Sequence, residues 1–200
     1  MKMFSHQPTS KTSELSYAEP DTKLPITLDL VAEYLIRNIK IQKVEPRKKD
    51  VFSSDSRPAV KIIDYLGQLQ LIIKASFTKE ISIHYTYSLI YLNKYLMNSK
   101  QTLNEYNVHR LFATALLLAQ KFLNDKVFSN KDVARAVGIS LDRFNRCELS
   151  FLKVIHFETH PSVEEYNQYY QNLLQFKSTI ESEECKKNDD YQAFEPSQCP

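Results

Sequence analysis

Two hundred residues, 42% of them hydrophobic and 12% aromatic, suffice for one domain with a real core and would be tight for two. The 26 basic side chains nearly balance the 24 acidic ones, so bulk charge gives no reason to expect nucleic acid or a membrane surface as partner. Only Gly67 and Gly138 are glycines; phosphate-cradling loops, nucleophile elbows and dinucleotide fingerprints need glycine clusters, and those enzyme classes are excluded.

The first residues, Met1-Lys2-Met3-Phe4-Ser5-His6-Gln7, lack the apolar stretch of a secretory signal. No apolar run approaches the roughly 20 residues of a membrane span. The three cysteines, Cys147, Cys185 and Cys199, show no CxxC spacing, and a reducing compartment is the expectation. The chain is therefore expected in the cytoplasm or the nucleus.

A polar stretch runs to about Lys23, and Thr27 then caps a helix whose apolar stripe is Leu28, Val31, Leu35 and Ile39. Residues 43–56 are charged and broken by Pro46, which predicts a linker or flexible loop. Pro58 opens a second helix carrying Val60, Ile63, Leu66 and Ile73, with Gly67 in its middle as either a tolerated weak spot or a point of close helix approach. A third helix, about 79–97, carries Ile83, Tyr87, Ile90, Tyr91 and Tyr95.

The strongest periodicity follows. Val108, Leu111, Phe112, Ala115, Leu116, Ala119, Phe122 and Leu123 form one stripe, and Ala113, Leu117 and Leu118 make the other face apolar too. A helix hydrophobic nearly all round belongs at the centre of the domain. Ser129 and Asp132 start a short helix that Gly138 ends, and Ser140 caps another with Phe144, Cys147, Phe151 and Ile155 on one face. Pro161-Ser162-Val163-Glu164-Glu165 begins a last helix, expected to reach about Leu174, and from Lys177 the composition reads as a disordered tail.

Four linked segments carry a resemblance. They are Asn107-Val108-His109-Arg110-Leu111-Phe112-Ala113-Thr114-Ala115; Ala119-Gln120-Lys121-Phe122-Leu123-Asn124-Asp125; Phe128-Ser129-Asn130-Lys131-Asp132-Val133-Ala134 with Val137-Gly138-Ile139-Ser140; and Asn145-Arg146-Cys147-Glu148-Leu149-Ser150-Phe151-Leu152-Lys153. In order and spacing, over roughly residues 58–169, they resemble a cyclin box, and more narrowly the P/U-type cyclins of the phosphate-pathway class. The resemblance implies an all-α fold: a single five-helix cyclin box with an additional N-terminal helix and a short C-terminal helix. Composition and periodicity give the domain reading: a disordered tail over 1–24, helix and linker over 25–56, the box over 57–175, and a disordered tail over 176–200.

It also implies a non-catalytic regulatory subunit, working as a monomer or as a heterodimer with a cyclin-dependent protein kinase, with no cofactor, metal, nucleic acid or membrane. In the family, one face of the box holds the kinase's movable C helix inward, completing its lysine–glutamate pair. Lys121 and Glu148 match the family lysine and glutamate that bond main-chain groups beside that helix. Their chemistry agrees, since a charge on an apolar face needs a partner. The bland alternatives are helix-end charge complementarity for Lys121 and a pair with Arg143 or Lys153 for Glu148. Phe112, Phe122 and Phe151 are expected in the core.

The chain departs from cell-cycle cyclins at two places. Ala59 and Asn93 stand where those carry a paired arginine and aspartate, and Pro58, Ile62 and Tyr65 occupy their substrate-docking positions. His156 and His160 have a zinc-compatible spacing, but Pro161 spoils the helix they would need. Arg47-Lys48-Lys49 reads as a solvated loop. A rival reading is a cyclin-like transcription factor related to transcription factor IIB, against which stand room for one box only and near-neutral charge. No catalytic constellation stands out for an enzyme.

Overall fold

The computed structural model describes residues 26–39, 50–74, 81–125 and 129–192, with side chains left aside at 72–74 and 186–192. The tail 1–24, the basic run Arg47-Lys48-Lys49, Cys199 and the first part of the 43–56 loop lie outside the described residues. Among those described there are seven helices and no strand: α1 Leu28–Asn38, α2 Ile62–Lys74, α3 Ile81–Ser99, α4 Val108–Leu123, α5 Asn130–Val137, α6 Leu141–Val154 and α7 Val163–Gln192. Helices α2–α6 make the five-helix unit that the resemblance implies, with α1 in front and α7 behind.

Local chemistry sets the helix ends. Thr27, Ser129 and Ser140 accept hydrogen bonds from the Leu30, Asp132 and Arg143 amides, so each satisfies an amide that its helix leaves open. Gly138 closes α5 in the left-handed conformation at φ 72°, which a side chain would strain. Ser162 caps α7 by accepting from the Glu165 amide at 3.1 Å.

Helix α4 is the axis of the core. Every residue from Leu111 to Gln120 is buried, and α4 shares its largest contact with α3. Tyr87, Tyr91 and Tyr95 of α3 are buried too, and their hydroxyls need partners; the Tyr91 hydroxyl donates to the Thr159 carbonyl at 2.5 Å.

Three boundaries differ from expectation. Helix α2 begins at Ile62 and not at Pro58, because residues before it are tied elsewhere: Arg57 pairs with Glu105 at 2.7 Å, and His109 Nε2 meets the Val60 carbonyl at 3.1 Å. The described part of the expected linker is no loose loop. Phe52 is fully buried, edge-on to the stacked rings of Tyr95 and Phe151.

The last helix runs to Gln192, well beyond the expected end near Leu174 and into what composition reads as a disordered tail. The reason is α1. Arg37 pairs with Glu183 at 2.7 Å and lies over the Phe176 ring, whose edge meets Tyr34 at 5.4 Å. Gly67 also resolves: a Cβ built there meets nothing within 4 Å, so it marks no close helix approach.

Candidate functional site

Lys121 stands in the last turn of α4, and Glu148 in the middle of α6. The structure brings them together, with Lys121 Nζ 2.5 Å from Glu148 Oε1. The pair is neither sealed nor fully solvated: the lysine side chain is 34% exposed and the glutamate 15%. The other carboxylate oxygen accepts from Asn130 Nδ2 at 2.6 Å, and the same amide also donates to Asn145 Oδ1 at 2.8 Å. Three helices thus meet at one carboxylate.

The intrahelical alternatives for Glu148 do not form. Arg143 turns away and donates to the Ser53 carbonyl at 3.2 Å. A carboxylate offers about four lone-pair positions and an ammonium three donors. One bond to lysine and one to asparagine leave capacity on both groups, at a half-open surface, for the main chain of another molecule.

Exposed apolar side chains stand next to the pair along the chain, and sequence reasoning missed most of them. Phe122, expected in the core, is instead 38% exposed: it follows Lys121 at the very end of α4, where the stripe runs out of neighbours. One face stacks on Tyr87 at 5.7 Å and an edge reaches His160 at 5.5 Å, leaving the rest in solvent. Leu149 beside Glu148 is 49% exposed, and Phe157, just past α6, is 59% exposed.

His156 and Phe157 both have left-handed backbone, at φ 55° and 60°, unusual for side chains of this size. The Phe157 amide is held there by the Leu152 carbonyl at 2.8 Å. Such strain persists where the surroundings over-determine it. The signal available in sequence was the break in helical pattern before Pro161. Phe112 and Phe151 are fully buried, as expected.

Other candidates fall outside this site. Ala59 and Asn93 are exposed, so neither leaves a buried polar group. His156 is exposed and His160 meets the Phe122 ring; among the described residues no three His, Cys, Asp or Glu side chains gather as metal ligands. No helix among the described residues is long and apolar enough to cross a membrane. Cys147 is buried, and burial pushes its thiol up to about 11, which keeps it protonated and unreactive at neutral pH.

Comparison with known proteins gives the family. The Cyclin family model matches residues 6–159, more than half of the chain. Cyclin-U4-1 of Arabidopsis thaliana is 30% identical over 156 residues, 76% of this chain and 73% of that protein. Cyclin-U4-3 of the same plant is 30% identical over 126 residues, 62% of this chain and 55% of the relative. PHO85 cyclin-7 of Saccharomyces cerevisiae is 29% identical over 137 residues, 62% of this chain and 46% of the relative. The chain thus spans between about half and three quarters of the length of these relatives. With a family match of that extent, and similarity to U-type cyclins and a PHO85 cyclin, the chain belongs to the cyclin family, as a P/U-type member.

Proposed function

We propose that this chain is the regulatory subunit of a cyclin-dependent protein kinase and activates it by packing on the kinase's C helix. The observation that carries the reading is the half-open Lys121–Glu148 pair with hydrogen-bonding capacity to spare, whose members are followed in the chain by exposed Phe122 and Leu149. A partner that covers these side chains would exclude water from the pair, which strengthens each polar bond made there. The carboxylate receives a main-chain N–H of the partner and the ammonium donates to a main-chain carbonyl. Bonds of that kind grip a helix end without demanding a particular side chain. A C helix held inward completes the kinase's own lysine–glutamate pair, and the cyclin supplies no reacting group.

The kinship with a cyclin named for PHO85 supports a cyclin-dependent kinase as the partner, in control of the cell cycle or of nutrient signalling. The test is affinity purification of the full chain from its source cell, with identification of the bound kinase, for the natural chain and for Lys121→Ala and Glu148→Ala. Both variants are expected to keep the helical circular-dichroism signal and to lose kinase. Undiminished capture by both overturns the reading.

A further inference from the structure

The segment 50–54, in the stretch whose charge and Pro46 suggest a linker, is built into the same two helices that carry the pair. It is shaped first by itself. Asp50 Oδ1 accepts from the Phe52 and Ser53 amides and from the Ser53 hydroxyl at 3.0, 2.7 and 2.8 Å, a turn held by its own side chain. The Ser54 amide then donates to the Tyr106 carbonyl at 2.9 Å, just ahead of α4.

The helices grip this shaped segment mainly by its backbone. Arg110 of α4 and Arg143 of α6 both donate to the Ser53 carbonyl oxygen, at 2.6 and 3.2 Å. The Cys147 thiol donates to the Val51 carbonyl at 3.3 Å, and the buried Phe52 ring meets Phe151 at 6.2 Å. Arg143, Cys147 and Phe151 are spaced four apart, so one stripe of α6 touches the segment along its length. A helix held along a stripe cannot roll. Glu148 follows Cys147 by one residue, about 100° further round, and its direction is set by that stripe.

The fastening points are well separated. Arg110 and Lys121 lie about 16 Å apart along α4, and Arg143 and Glu148 about 7.5 Å apart along α6. Segment 50–54 pins the two helices at one place and the ion pair at another, and two pins fix a crossing angle that one leaves free. The two guanidinium groups come from different helices and converge on one oxygen, so the bonds that satisfy it also align both helices on one point.

We infer that segment 50–54 is a positioning tie, which sets the roll and crossing of α6 on α4 so that Glu148 stands against Lys121 before the partner arrives. The inference rests on the reading of Lys121 and Glu148 as the kinase-binding pair. A surface set in advance loses less freedom on binding, and the tie should therefore act on affinity through the pair.

The experiment is a double-mutant cycle with the full chain and the kinase recovered with the natural chain: Arg110→Met, Lys121→Ala and the double variant, each also followed by thermal unfolding. Arg110→Met is expected to weaken binding about tenfold when Lys121 is present, and by less than about twofold further when it is already alanine. Arg110→Lys, able to reach the carbonyl with a single ammonium, should recover part of the loss. An equal loss in both backgrounds, or no loss from Arg110→Met, overturns the tie and leaves the pair's role standing. Loss from Arg110→Met with none from Lys121→Ala overturns both. Should Arg110→Met unfold the chain, Phe52→Leu, which keeps apolar bulk and gives up the ring contacts, takes its place in the cycle, and the same outcomes support or overturn the tie.

Discussion

Phe122 lies nearly flat on Tyr87, with ring centroids 5.7 Å apart and 24° between the planes, yet it keeps more than a third of its surface in water. The buried tyrosine is a floor, and the phenylalanine lies on it partly in solvent. Truncating a fully buried phenylalanine costs ~3–5 kcal/mol. Phe122→Ala should cost about 1–2 kcal/mol, because much of the ring is already solvated. Kinase capture should fall by more than that loss of stability explains. Chemical denaturation alongside pull-down checks both; an unfolding loss as large as that of Phe112→Ala would mark Phe122 as core.

The ion pair is the second case where binding and stability should separate. Lys121 is a third exposed, so its bond to Glu148 is screened by solvent and contributes on the order of 1 kcal/mol or less. Lys121→Ala should lower the melting temperature by only a few degrees. Calorimetry on the isolated chain gives the answer without the kinase.

Gly67 offers a stabilising change. It sits within α2, nothing lies within 4 Å of an added Cβ, and no positive φ calls for glycine there. Gly67→Ala should raise stability by about 0.5–1 kcal/mol, by narrowing the unfolded ensemble. Urea denaturation with an unchanged slope and a higher midpoint is the expected result.

His109 predicts the response to acid. Its Nε2 donates to the Val60 carbonyl, while Nδ1 is buried with no partner. Burial pushes its pKa down from 6.5, the neighbouring Arg110 pushes the same way, and the Val60 bond opposes both. The unfolded chain therefore binds the proton more readily than the folded one. Stability is fully present above pH 6.5 and is lost as pH falls from there through the lower folded value. Melting temperatures between pH 7.5 and 5 should show this drop, and it should be smaller in His109→Gln.

The two described cysteines should react very differently. Cys185 is exposed on α7, whereas Cys147 is buried, bonded to the Val51 carbonyl and held protonated by a pKa pushed up to about 11. Alkylation at pH 7.5 with peptide mapping should modify Cys185 within minutes, and Cys147 only once denaturant opens the core. Equal labelling of both in the native state would contradict the packing of segment 50–54 against α6.

Much of this protein was written in its sequence. The all-round apolar run from Val108 to Leu123 fixed a central helix, the serine caps and Gly138 fixed the ends of α5 and α6, and the resemblance singled out Lys121 and Glu148, which the fold brings together. These signals are legible because helical periodicity and capping act between residues a few positions apart. Three things needed the tertiary structure. The burial of Phe52 depends on α3 and α6, distant in the chain. The contacts of α7 beyond Leu174 depend on Arg37 and Tyr34 of α1. The exposure of Phe122 depends on where its neighbours stop. Local pattern can say that a residue is apolar; only the packing of distant elements decides whether anything is there to cover it.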